Sequence, residues 1–128
     1  MKESETLEVK KSTSELKEAI ISIVAMLNKN QEGKVIFGIK NNGGVVGQGI
    51  NEKTLRDVSQ KISSNIEPKI FPKIYEKVIE GKKCIVVEAS GENRPYYAFG
   101  RAYMRVADED KSISAKELEK LILEKNKE

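Results

Sequence analysis

The stretch that most constrains this chain is residues 33–49, Gly-Lys-Val-Ile-Phe-Gly-Ile-Lys-Asn-Asn-Gly-Gly-Val-Val-Gly-Gln-Gly. Two apolar segments flank an Asn42-Gly43 pair, and Asn-Gly readily supplies the two positive-φ positions of a type I′ turn. With Val35, Ile36, Phe37, Val45 and Val46 as strand formers, the stretch predicts a β-hairpin at the centre of the fold. A phosphate cradle would put its glycines at different spacings. No G-x-x-x-x-G-K-[ST] string occurs, and Gly47-Gln48-Gly49 lacks the third glycine of a G-x-G-x-x-G loop. Turn chemistry accounts for these glycines, and no ATP site is expected.

Taken in order, the chain alternates helical and extended signals. Thr6-Leu7-Glu8-Val9-Lys10 alternates polar and apolar residues and predicts a short strand with Glu8 and Lys10 outward. Ser12-Thr13-Ser14-Glu15 matches a capping box, and Leu16, Ile20, Ile23, Val24 and Leu27 share a helical face, so a helix is expected to end near Asn28. A second helix opens around Asn51-Glu52-Lys53-Thr54 and stops before Pro68, because proline biases its predecessor away from helix. Residues 73–79 and 83–89 then form a second hairpin about Glu80-Gly81-Lys82, its later strand apolar on both faces and therefore central. Tyr96-Tyr97-Ala98 and Ala102–Val106 read as two short strands; alternation groups Arg101, Tyr103 and Arg105 on one face, opposite Ala102, Met104 and Val106. A last capping box, Ser114 to Glu117, leads a helix striped with Leu118, Leu121 and Ile122 and charged over residues 124–128. The expectation is one α+β domain over residues 1–128, a mixed, mainly antiparallel sheet of two hairpins plus short strands packed with about three helices.

Composition restricts the chemistry. The chain has no histidine and one cysteine, which removes Ser-His-Asp and Cys-His catalysis, the usual zinc sites and any internal disulfide. Cys84, beside Ile85, Val86 and Val87, reads as a small core residue. No run is long enough to span a bilayer, and the acidic start Met1-Lys2-Glu3-Ser4-Glu5 is unlike a signal peptide, so a cytoplasmic location and no membrane partner are expected. The net charge of +3 is compatible with a polyanion or with a uniformly mixed surface.

Two constellations remain. Arg94, Tyr96, Tyr97, Arg101, Tyr103 and Arg105 suit a polyanion, since guanidinium groups bind phosphate bidentately and tyrosine stacks on unpaired bases; Lys69, Lys73, Lys77, Lys82 and Lys83 could widen such a face. The same tyrosines could instead pack in the core with the arginines covering them. Glu3, Glu8 and Lys10 form the other group. Two carboxylates beside a lysine suit a metal-dependent nuclease, but Glu-x-Lys is equally what an exposed strand edge carries.

The chain resembles the Schlafen-type Alba-like domain found at the start of many bacterial and archaeal transcriptional regulators, divergent AAA proteins and RecG-helicase-related proteins. The likeness covers nearly the whole sequence. It rests on Glu3-Ser4 with Glu8-Val9-Lys10, Ala25-Met26-Leu27-Asn28, Gly38-Ile39-Lys40-Asn41-Asn42-Gly43 with Val45-Val46-Gly47, Ile66-Glu67-Pro68, Arg94-Pro95-Tyr96-Tyr97 and Tyr103-Met104-Arg105-Val106. It implies a mixed α/β fold and a DNA- or RNA-binding role within a regulator. In the nucleases of the family, two glutamates matching Glu3 and Glu8 act with an aspartate that matches Asn41, which could ligate Mg²⁺ or Mn²⁺ only through a neutral oxygen. A single glycine in residues 29–33, where the family usually has a Gly-Gly pair, is a second departure. Longer relatives continue into an ATPase-like region or a winged helix, and the resemblance does not carry their ATP hydrolysis over to this sequence.

The leading expectation is thus a non-enzymatic nucleic-acid-binding module without a cofactor, using Lys10, Lys40, Lys73, Arg94, Arg101, Tyr103 and Arg105 mainly on phosphates. A metal-dependent nuclease with catalytic Glu3 and Glu8, its metal held by Glu3, Glu8 and Asn41, is the first alternative. A protein-interaction or homodimerisation module built on the last helix is the second.

Overall fold

The computed structural model describes residues 1–126. Its elements are β1 (Leu7–Lys10), a 3-10 turn (Thr13–Glu15), α1 (Leu16–Asn30), β2 (Glu32–Phe37), α2 (Thr54–Asn65), β3 (Ile66–Glu67), β4 (Lys73–Ile79), β5 (Lys82–Ser90), β6 (Tyr97–Ala98), β7 (Arg101–Val106), β8 (Glu109–Ser112) and α3 (Ala115–Asn126). The strands form two four-stranded sheets, ordered β1-β2-β5-β4 and β3-β6-β7-β8. Only the β1–β2 pair is parallel. The expected α+β class holds, with the short strands gathered into a sheet of their own.

The centre of the fold is α1. Every residue from 22 to 28 is buried, on all sides of the helix, as befits a helix enclosed rather than laid on a surface. It lies between β2 of the first sheet and β7 of the second. Its apolar residues join Val35 and Phe37 of β2 with Ile85 and Val87 of β5 on one side, and Tyr96 and Ala98 on the other. Gly33 at the start of β2 makes the close approach to α1 possible, because a Cβ there would fall 2.6 Å from the Met26 Cβ.

The Asn42-Gly43 stretch departs from expectation. Residues 39–45 do turn back, with the Gly43 N–H donating to the Lys40 carbonyl and the Lys40 N–H to the Gly44 carbonyl, but the return makes a single β-bridge, Ile39 to Val45. The reason lies in the sheet. Both edges of β2 are already taken, by β1 and by β5, so no edge is left for Val45 and Val46 to pair along. At Gly38 the backbone takes φ +115° and leaves the strand. The segment instead covers the outer face of the first sheet, where Ile39 and Val45 pack with Val9, Ile36, Cys84 and Val86.

The second hairpin forms as expected. Glu80 and Gly81 both adopt positive φ, joining β4 and β5 in register from Lys73 opposite Glu88 to Ile79 opposite Lys82. Central β5 is covered on one face by α1 and on the other by the segment after β2, which is why it is apolar on both. Strand β8, which the sequence pattern did not reveal, pairs with β7 from Tyr103 opposite Ser112 to Val106 opposite Glu109. The capping box of α3 is present: the Ser114 Oγ accepts from the Glu117 N–H at 3.2 Å and donates to the Glu117 Oε1 at 2.9 Å. No residue of α3 is fully buried. No helix among the described residues is long and apolar enough to cross a membrane.

Candidate functional site

Two groups of charged residues stand out: a buried network beside the middle of α1, and a cluster on the outer face of the first sheet. The network is centred on Arg105. Alternation along β7 does place Arg101, Tyr103 and Arg105 on one face, but beyond the exposed Arg101 that face points inward. Tyr103 packs against the main core and Arg105 is fully buried. Its Nη1 donates to Glu8 Oε1 at 2.8 Å and to Asp110 Oδ1 at 2.7 Å, its Nη2 to the Ser4 and Leu7 carbonyls, and its Nε to the Ser4 carbonyl. All five donors of the guanidinium are thereby used. The Ser22 Oγ, in the buried stretch of α1, donates to Asp110 Oδ2. One side chain thus links β1, β7, β8 and the N-terminal segment.

Glu3 and Glu8 are close, as the sequence suggested. Glu3 Oε2 accepts from the Val9 N–H at 3.1 Å, and burial, followed by its hydrogen bond and charge repulsion with Glu8, pushes its carboxyl up to about 7. Burial also disfavours the charged form of Glu8, but hydrogen bonds from Glu3 and Arg105 and the charges of Lys10 and Arg105 outweigh it and hold Glu8 below the ordinary carboxylate range. Lys10 Nζ stands 3.6 Å from Glu8 Oε2. Below about pH 7 the pair therefore carries one proton, and its remaining charge, with that of Asp110, is matched by Arg105 and Lys10.

These residues do not fit a divalent cation. Glu8 is already occupied by a guanidinium and an ammonium, and Asn41, exposed on the segment after β2, brings only a neutral oxygen. Among the described residues no three His, Cys, Asp or Glu side chains gather to hold a metal.

The other expected phosphate contacts disperse. Arg94 Nη1 donates to the Asn28 carbonyl at 3.0 Å and lies 3.5 Å from that of Lys29, closing the C-terminal end of α1 where a cation offsets the helix dipole. Tyr96 is buried, and both its backbone N–H and carbonyl are held by the Asn28 side chain, which also donates to the Tyr103 carbonyl. Lys10 is half-buried on Glu8. Lys40, Lys73 and Arg101 are exposed, on three different elements or connections. Arg105 is the clear correction: with no accessible surface it cannot touch a ligand, and its charge is answered inside the protein.

The outer sheet face carries a group that sequence reading only half identified. Register aligns Lys34 of β2, Glu88 of β5 and Lys73 of β4 across the sheet, and Lys77, four residues along β4 and so on the same face, adds a third ammonium. The Tyr75 hydroxyl donates to Glu88 Oε2. That bond, together with the fields of Lys34, Lys73 and Lys77, holds Glu88 below the ordinary carboxylate range. Three lysines thus surround one carboxylate, a local excess of positive charge. Beside them stands Phe71, 92% exposed, which sequence periodicity overlooked. Its signal was compositional: an aromatic in Lys69-Ile70-Phe71-Pro72-Lys73, outside any helical or strand pattern.

A family described as Schlafen, AlbA_2 matches residues 3–114. Among solved structures, the chain is similar to the DIP2311 protein of Corynebacterium diphtheriae, with a TM-score of 0.70 and 16% identity over 85% of this chain. The chain covers 22% of the length of that protein. It is also similar to the N-terminal domain of a RecG-related protein of Nitrosomonas europaea, solved in solution, with a TM-score of 0.60 and 22% identity, covering 89% of this chain and 86% of that one. At such identities the likeness is one of fold. No curated protein matches the sequence.

Proposed function

Because the chain belongs to the Schlafen AlbA_2 family, we propose that it is a nucleic-acid-binding domain that holds phosphate groups on the outer face of its first sheet. The support is the alignment of Lys34 and Lys73 across Glu88, with Lys77 beside them on the same face. Ammonium groups on the two strands that flank β5 stand at fixed spacing, and most protein contacts to nucleic acids are of this phosphate-positioning kind. Lys40 and Arg101, exposed elsewhere, add to the general attraction without belonging to the face. Within a transcriptional regulator such a domain would supply affinity with little sequence preference, in the reducing cytoplasm that a single buried thiol suits.

The experiment is fluorescence anisotropy of a labelled duplex, a single strand and a structured RNA at several salt concentrations. Binding is expected to weaken steeply with salt. Joint charge reversal of Lys34, Lys73 and Lys77 is expected to lower the duplex salt slope by roughly two to three, about 0.9 per lost phosphate contact. Unchanged affinity and slope in that triple variant would remove this face from the binding surface.

A further inference from the structure

The cleft beside Phe71 has a chemistry of its own. Phe71, Lys34, Lys73, Glu88, Glu32 and Ser90 line a cavity of about 460 Å³, within the size range of small-molecule sites. A phenylalanine at 92% exposure does nothing for the core. It is nevertheless firmly presented: the adjoining Ile70 is 8% exposed and joins the main core, and Pro68 and Pro72 restrict the backbone on either side. Little conformational entropy remains to be lost when something stacks on the ring.

We propose that this cleft seats one unpaired nucleotide, its base stacked on Phe71 and its phosphate against Lys34 and Lys73, so that the domain prefers single-stranded segments. The inference rests on the nucleic-acid reading above and narrows it. Charges within the cleft set the orientation. Glu88 and Glu32 on the lining repel a phosphate that approaches them, while Lys34 and Lys73, on the strands flanking Glu88, attract it. The uncharged base is the part that enters. A base inside a duplex has both faces covered by its neighbours, so only an unpaired one can offer a face to the ring.

The test uses a fluorescein-labelled oligothymidylate and a labelled duplex of equal length, titrated with the full chain at low salt. Phe71→Ala is expected to weaken oligothymidylate binding about tenfold and to leave the duplex unaffected; stacking on one aromatic accounts for a change of that order. Because the chain contains no tryptophan, the Phe71→Trp variant carries a single indole, expected to restore affinity and to lose emission intensity as oligothymidylate is added. Equal oligothymidylate affinity for wild type and Phe71→Ala, with duplex binding still dependent on Lys34, Lys73 and Lys77, would overturn this inference and leave the phosphate-binding face standing. Failure of every variant to bind either ligand would overturn both. Self-association in sedimentation that Phe71→Ala abolishes, with no effect on oligonucleotides, would reassign the ring to a protein contact.

Discussion

Replacing Arg105 by methionine should unfold this protein far more readily at pH 7 than at pH 5. The guanidinium makes five hydrogen bonds, two of them to carboxylates. Removing it leaves those carboxylates unequally placed. Asp110 keeps the Ser22 hydroxyl, and its side chain is 20% exposed, so water can take over part of the lost contact. Glu8, with a side chain only 7% exposed, keeps Lys10 at 3.6 Å, its hydrogen bond with Glu3 and a long 3.4 Å contact from the Ser22 hydroxyl, none of which replaces the guanidinium. Breaking one partner out of a buried ion pair costs roughly 3–5 kcal/mol, and the partial rescue by Lys10 and water puts the expectation at the lower end, about 3 kcal/mol. With a urea m-value of about 1.5 kcal/mol/M, typical of a small domain, the midpoint falls by about 2 M. The pH dependence follows from Glu8. In the wild type its carboxyl is held low, so it contributes stability above its ordinary value that is lost as pH falls through its folded value. In the variant, burial without the guanidinium raises it, so the deficit grows as pH rises and shrinks under acid. Urea unfolding followed by circular dichroism at pH 5 and pH 7 measures both effects. A loss under 1 kcal/mol at pH 7, or a loss independent of pH, would refute the assignment of Arg105 as the internal counter-charge.

Asn28→Ala strips partners from the Tyr96 N–H and from the Tyr96 and Tyr103 carbonyls; at about 1–3 kcal/mol for each buried polar group left unpaired, partly recovered by relaxation, a loss of about 3 kcal/mol and roughly 10 °C in Tm is expected in a thermal melt. Glu3→Gln is expected to flatten the stability profile between about pH 4.5 and 7: the Glu3 carboxyl, raised by burial and by Glu8 to about 7, favours the folded state while protonated and loses that contribution as pH rises through 7. An unaltered pH profile in the variant would show that Glu3 titrates as an ordinary surface carboxylate.

Much of the fold could be read from the sequence, because its signals there were local. Helix caps at Ser12 and Ser114, the Glu80-Gly81 turn and the two-faced apolar run around Val86 each depend on neighbours within a few residues. The failures share a cause. The chain reverses near Asn42-Gly43, though over Asn41-Asn42 with positive φ at Gly43 and not at Asn42, so the type I′ turn expected there does not form; whether Val45 and Val46 became a strand depended on which strands had already occupied the edges of β2, and those come from residues 7–10 and 82–90. Strand β8 was hidden because Glu109-Asp110-Lys111-Ser112 has no apolar alternation; it is held by pairing to β7 and by Asp110 reaching Arg105 and Ser22. Period-2 alternation separated the two faces of β7 but could not say which was inside. An arginine set is ordinarily the solvent face, and only Glu8, 97 residues away, and Asp110, opposite it on the unforeseen strand β8, reverse that assignment.

The same reversal has a consequence for tracing function in this domain. Glu8 and Arg105 belong to the sequence blocks that carry the family likeness, and both are buried against each other, while Phe71, Lys34, Lys73 and Lys77 lie outside those blocks on an open sheet face. The internal network ties the N-terminal segment, β1, α1, β7 and β8 into one body. The outer face can then vary in charge and aromatic content without disturbing it. Substitutions in the network should therefore reduce binding only in proportion to the folded population, leaving the salt slope of the surviving molecules unchanged. Substitutions on the face should change the slope or the single-strand preference at full stability. A Glu8→Gln variant that folds as well as wild type but binds with an altered salt slope would break this division, placing a charge of the network in contact with the ligand after all.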